Sequence, residues 1–194
     1  RGKVFANAQT GNIVLMSQAA FDGDLARVLH YLVPLLSFAL GVAAAEVIHI
    51  RYREAKHLHW RQLVLLVEIL LLFGVGFIPN TLDLAANALV SFACAMQVQA
   101  FRKVHSYPFA STMCIGNMRS GMESLVVYFH LHDKKVLHKA LHYFGVILLF
   151  AIGAGVGAHC VGVFGNKTIW FSCALLLVSL CFMFILRIKR PPPG

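Results

Sequence analysis

Apolar residues fall in long unbroken runs along the chain, and short polar clusters, most of them basic, separate the runs. A helix needs about 20 residues to cross ~30 Å of hydrocarbon. Five runs approach or reach that length: His30–Ile50, Gln62–Ile78, Leu84–Phe101, Ala140–Val161 and Ile169–Leu186. Two other apolar stretches, Asn7–Phe21 and Thr112–Leu131, open on a polar segment that contains glycine. The first reaches only ~22 Å as a helix, too little to span. The second is interrupted by Arg119 and Glu123. The pattern predicts an all-α, polytopic membrane helical bundle forming one membrane domain.

Composition agrees with the pattern. Hydrophobic residues make up 59% of the 194 and charged ones 13%, with a mean hydropathy of +0.73. Soluble domains are about 25% charged, and disordered chains are poor in apolar residues, so both classes are excluded. The net charge of +9 would suggest nucleic acid in a soluble domain. Here the basic residues flank apolar runs, and no polar segment carries the basic, aromatic-interleaved stripe of a single-strand binder. The expected partner is the lipid bilayer, with no nucleic acid. Five cysteines show no paired spacing, so neither a disulfide framework nor a metal set follows.

The basic residues also decide whether the two short stretches cross. If both dip in and return, one face holds Arg51, Arg53, Lys56, Arg61, Arg102, Lys103, Lys134, Lys135, Lys139, Arg187, Lys189 and Arg190. The other face then holds only Arg1, Lys3, Arg27 and Lys167, a split of twelve against four. If both cross, the split falls to nine against seven. Positive-inside bias favours the re-entrant arrangement, with the C-terminus cytoplasmic.

Several features recur in order. Phe5-Ala6 and Gly11-Asn12 return as Phe109-Ala110 and Gly116-Asn117. His30-Tyr31 returns as His142-Tyr143, Phe38–Gly41 as Phe150–Gly153, and Trp60 as Trp170. The chain therefore divides into a first repeat, 1–78, and a second, 79–190. Each repeat is read as three spans plus a short re-entrant Gly-Asn helix. An odd number of crossings per unit makes the second copy inverted, a recurrent plan of transporters. The counterpart of Leu84–Phe101 would precede Arg1, where no initiator methionine or signal-peptide pattern stands, so the first span is expected to be missing from this chain.

Phe5-Ala6-Asn7-x-x-Thr10-Gly11-Asn12 followed by Ile13-Val14-Leu15-Met16 resembles the YoaK-like family of bacterial integral membrane proteins of unknown function. So does Ala95–Lys103 followed by Thr112-x-x-x-Gly116-Asn117, although Ile115 stands where Thr usually precedes Gly-Asn. The resemblance implies a bacterial inner-membrane protein of about this size and supplies no activity.

Chemistry concentrates at the two Gly-Asn elements. Thr10, Gly11 and Asn12, with Gly116 and Asn117, set backbone polar groups and amides beside apolar helices, where free N–H groups suit a polar solute or ion. The competing reading is that they cap short helices. Gln97, with Gln99 nearby, either lines a pathway or joins helices. Glu68 lies ~9 Å into its span, a default candidate for coupling. Glu46 stands nearer the helix end, where Arg51 or Arg53 is its expected partner. Arg119 and Glu123 are spaced to pair on one helix face or to meet an anion. The ten histidines, including His57-x-His59, His130-x-His132 and His138-x-x-x-His142, lack the ligands of a zinc set, so no metal and no cofactor are expected. No nucleophile or metalloprotease motif occurs, and an enzyme is not expected. The function read from this pattern is a small secondary transporter or channel for an unidentified small polar solute or ion. The alternative is a non-transporting membrane scaffold or partner subunit, and a homo-oligomer is compatible with either.

Overall fold

A computed structural model describes residues 4–53, 59–104, 107–108 and 114–188. Phe109, Ala110, Thr112 and His57 lie outside the described residues, as do Arg1, Lys3, Lys56, Lys189 and Arg190. The helices are α1 (Gln9–Phe21), α2 (Leu25–Tyr52), α3 (Trp60–Val75), α4 (Asp83–Ala100), α5 (Cys114–Leu131), α6 (Lys134–Phe164) and α7 (Ile169–Ile188). Single 3-10 turns at Asn80–Leu82 and Gly165–Thr168 lead into α4 and α7. The one extended feature among the described residues is an antiparallel ladder pairing Lys103 with Pro108 and Val104 with Tyr107. Otherwise the architecture is helical throughout.

Three helical stretches are long and apolar enough to cross a membrane: Leu25–Tyr52, Asn80–Ala100 and Lys134–Ile185. The last is broken at Gly165, whose φ of 57° ends α6. The run Gln62–Ile78 becomes a helix of only 16 residues, ending at Val75. Gly76 N–H there turns to the Leu72 and Phe73 carbonyls, and Pro79 stands before the next turn. α2 starts before the expected His30 because Asp24 caps it, its carboxylate accepting from Arg27 N at 3.0 Å. Pro34 sits within α2 and is buried.

Packing divides the chain into two compact units, residues 1–100 with 166–194, and residues 101–165. These units differ from the repeat segments 1–78 and 79–190. A duplication boundary is a property of sequence and a compact unit one of packing, so the two need not coincide.

In the first unit α1 and α2 form a hairpin around Asp22-Gly23-Asp24. Gly23 takes φ 73°, a left-handed conformation that glycine adopts without a Cβ penalty, and Asp24 N–H reaches back to Ala19 O at 2.9 Å. α2 packs on α4 through small residues: Gly41 lies against Phe92 and Ala95, with Ala45, Ser91 and Ala95 buried. Further along, Gln99 Nε2 donates to Glu46 Oε2 at 2.5 Å. Both contacts advance together along the two helices, so α2 and α4 run parallel. α3 runs the other way, its Leu72 packing with Ala93 of α4 and Cys173 of α7. Cys173 Sγ lies 3.9 Å from Ile69 O, and Trp170 Nε1 donates to Phe73 O at 3.4 Å. Those contacts run in opposite order, so α7 is antiparallel to α3.

The far end of this unit is clasped by aromatics. Trp170 fills the notch left by Gly76, where an added Cβ would overlap the indole. Its ring lies 5.3 Å from Phe77 and 6.1 Å from Phe73, and Asn166 Nδ2 donates to Asn80 Oδ1. The ends of α2, α4 and α7 and the start of α3 gather at the other end, with Arg51, Arg53 and Arg61.

The second unit is a hairpin of α5 and α6. Its turn repeats the chemistry of the first with different residues. His132 takes φ 52°, its N–H bonds Tyr128 O at 2.7 Å, and the Asp133 carboxylate accepts from Lys135 N at 2.8 Å. Asn117, Gly121 and Ser124 of α5 and Ala140 and Tyr143 of α6 are buried. A Cβ on Gly121 would stand 3.2 Å from the Phe144 ring.

Candidate functional site

At the start of α1 the chain doubles back on its own helix. Asn12 is 0% exposed. Its Oδ1 accepts from Phe5 N at 3.1 Å, while Nδ2 donates to Phe5 O at 2.6 Å and to Gln9 Oε1 at 2.8 Å. Gln9 Nε2 in turn donates to Ala6 O at 3.0 Å. One amide thus mimics a strand partner for the Phe5 peptide groups, which a membrane interior would otherwise leave unsatisfied. Gly11 leaves room for the Phe5 ring in this fold-back, since a Cβ there would stand 2.9 Å from Phe5 Cδ2 and push the ring aside. The capping position is Ala8, with no side-chain bond, and Thr10 is exposed. The motif is therefore a latch rather than an N-cap, and both Asn12 amide hydrogens are engaged.

The latch has a measurable strength. Asn12→Asp removes both donors and sets a carboxylate against the Phe5 carbonyl. A loss of about 1–3 kcal/mol is expected for the groups left unpaired, read as a lowered melting midpoint in detergent. Gln9→Ala should cost less, since Phe5 stays bound.

The second Gly-Asn element differs. Asn117 is buried, at 3% exposure, whereas Gly116 is exposed and an added Cβ would touch no described residue. On the same helix Arg119 Nε donates to Glu123 Oε1 at 2.8 Å, and both side chains are exposed. Asn12 and Asn117 belong to different compact units.

Glu68 lies on the inner face of α3 at 3% exposure, and its Oε2 has no hydrogen-bond partner among the described residues. Gln97 is half-buried on α4. Among the described residues no group of three or more histidine, cysteine or carboxylate side chains converges as a metal site.

A further polar group lies at the basic end of the first unit. Glu46 holds Gln99 through Oε2, and its Oε1 is 3.3 Å from His49 Nδ1. The His49 ring lies 4.4 Å from that of Trp60, and Arg61 Cζ sits 5.3 Å from the Trp60 centroid. His59 caps α3, its Nδ1 accepting from Arg61 N at 3.2 Å, while Gln62 Oε1 accepts from His59 N at 3.0 Å. Glu46 thus bonds Gln99 and His49 rather than its expected partners Arg51 or Arg53, which line a cleft of about 400 Å³ with Glu46, His49 and Ile50. The helix-joining reading of the two glutamines thus fits Gln99. His59 as a cap and Glu46–Gln99 as a bond were not anticipated. The His-x-x-Gln spacing at residues 59–62 was the available signal for the first.

A family model described as a protein of unknown function (DUF1275) matches residues 1–182. No curated protein and no solved structure matches the chain.

Proposed function

With the premise that the chain belongs to the DUF1275 family, whose description gives no activity, we propose that it is a small secondary transporter or channel for a small polar solute or ion. The YoaK-like resemblance and a bacterial inner-membrane location with a cytoplasmic C-terminus are part of this reading. The observation that carries it is the direction of the helices in the first unit. α4 ends at the basic end, and α7 begins at the opposite end. Residues 101–165 must therefore carry the chain from one end of that unit to the other. α6, with 31 residues, rises ~46 Å and suffices alone. In this reading α5 is the returning limb of the re-entrant segment.

The duplicated plan gains support from the hairpins considered one by one. Each joins its helices by a left-handed residue and a capping aspartate, Gly23-Asp24 and His132-Asp133. Each buries its Asn, a small residue two turns on (Ala19, Ser124) and the matching tyrosine (Tyr31, Tyr143). From the charged turn at Asp22, Asn12 stands about 15 Å along α1, near the middle of a ~30 Å core. In this mechanism the repeats rock about paired Gly-Asn helix starts. Thr10, Gly11, Asn12, Gly116, Asn117 and Gln97 contact the solute, Glu68 carries coupling, and Arg119 with Glu123 lines the path.

One observation favours the scaffold alternative. Phe5 and Gln9 already occupy the Asn12 amide, so a solute must displace its own chain to bind there. Two measurements decide between the readings. Cysteines at Arg53 and Lys135, in a background with the five native cysteines replaced by alanine, are expected to label with an impermeant maleimide from the same side. Labelling from opposite sides would remove the re-entrant helix. Proteoliposomes challenged with urea, glycerol and potassium gradients, with internal pH recorded, are expected to show a protein-dependent flux. No flux with any probe would favour the scaffold.

A further inference from the structure

We propose that the cleft at the end of α2 is a binding site for a phosphate-bearing anion, of the kind an anionic phospholipid headgroup presents. The inference needs no transport activity, but it rests on the cytoplasmic placement of the basic end in that reading. The cleft holds about 400 Å³ and is lined by Glu46, His49, Ile50, Arg51 and Arg53, enough for a phosphate with its glycerol neighbour. Arg51 and Arg53 share the cleft with one carboxylate, Glu46, and that carboxylate is already engaged by Gln99 at 2.5 Å and His49 at 3.3 Å. Arg51 and Arg53 are exposed and enter no ion pair among the described residues. Their planar forks suit two phosphate oxygens.

A third guanidinium stands nearby. Arg61 is held 5.3 Å from the Trp60 centroid, and the Trp60 ring is 4.4 Å from His49. Arg61 Nε is buried without a hydrogen-bond partner among the described residues, and its positive charge adds to that of the two cleft arginines. The position fits the ligand. Apolar α2 and α4 end here and α3 begins here, so the cleft lies where headgroups begin, with an indole at the level such rings prefer. Ile50, exposed on the last turns of α2, offers an apolar wall to the start of an acyl chain. Basic pockets between membrane helices on the cytoplasmic side are where anionic headgroups are captured.

The test uses the full chain, purified and reconstituted in vesicles of phosphatidylglycerol and phosphatidylcholine. Lipid retained after re-solubilisation is then counted by native mass spectrometry. Wild type is expected to retain phosphatidylglycerol over phosphatidylcholine, and Arg51→Gln with Arg53→Gln to lower that retention about tenfold. Lys167→Gln, at the opposite end, should leave it unchanged. Arg51→Lys with Arg53→Lys keeps the charge that sets orientation while losing the fork, and retention should fall about threefold. In a second arm, inorganic phosphate is added to lipid-free protein in detergent. A raised melting midpoint in wild type and not in the glutamine pair identifies free phosphate as a second source of the same group. Lipid retention without phosphate protection identifies the headgroup alone. The proposal is overturned if the glutamine pair retains lipid like wild type, if the lysine pair does so, or if Lys167→Gln loses as much as the arginine variants.

Discussion

Gly41→Leu is expected to prevent the chain from accumulating as a monodisperse protein, while Gly153→Leu leaves its melting midpoint within error of wild type. The two glycines occupy matching positions of the internal repeat, in Phe38–Gly41 and Phe150–Gly153. A Cβ on Gly41 would press on the Phe92 carbonyl oxygen and stand 2.8 Å from the Ala95 Cβ. Neither neighbour can rotate away, one being backbone and the other the first atom of its side chain. Forcing extra carbons into such a contact costs about 1–3 kcal/mol and sometimes more, and leucine adds four. α2 and α4 would have to separate, breaking the Glu46–Gln99 bond as well. At Gly153 an added Cβ meets nothing within 4 Å. Detergent melting of both variants, with Gly41→Ala as the intermediate case, measures the difference. A tolerated Gly41→Leu would mean that α2 and α4 do not cross where described.

The second large effect concerns Glu68. Its Oε2 is buried without a partner among the described residues, and an unsatisfied polar group of that kind costs about 1–3 kcal/mol. Glu68→Leu fills much the same space without polar atoms, so the melting midpoint should rise. Any flux driven by a proton gradient should disappear in the same variant. Glu68→Gln separates the two roles, because it keeps shape and polarity while removing the ionisable proton. If Glu68 carries coupling, both variants lose pH-linked flux by at least tenfold and only leucine gains stability. Retained pH-linked flux in Glu68→Gln would exclude this residue from coupling.

Much of the fold follows from run length alone. An apolar stretch bounded by arginines has few alternatives to a membrane helix, and all seven helices fall on stretches read as apolar. Their ends were harder to place. Asp24 starts α2 early because a cap acts through one backbone N–H, and this signal is weak beside a hydrophobic run. The turn at Gly23 is legible, since glycine is the usual left-handed residue. The same turn built on His132 is not, because histidine takes that conformation only occasionally.

The site was less legible than the fold. Asn after Gly at a helix start reads equally as a cap or a ligand. What Asn12 does instead depends on a peptide seven residues earlier bending back, and no local spacing encodes that bend. The Glu46–Gln99 bond requires the register of two parallel helices fifty-three residues apart in the chain, which one sequence does not contain. Glu68 stands out in the sequence by depth alone, and in the fold it is buried on α3.

The indole lodged at Gly76 limits which motions α3 and α7 can make. Sliding one helix along the other would drag a rigid bicyclic ring out of its notch, so translation is blocked while rotation about that point stays cheap. Any relative movement of the two helices that keeps the indole seated is then a tilt about Gly76.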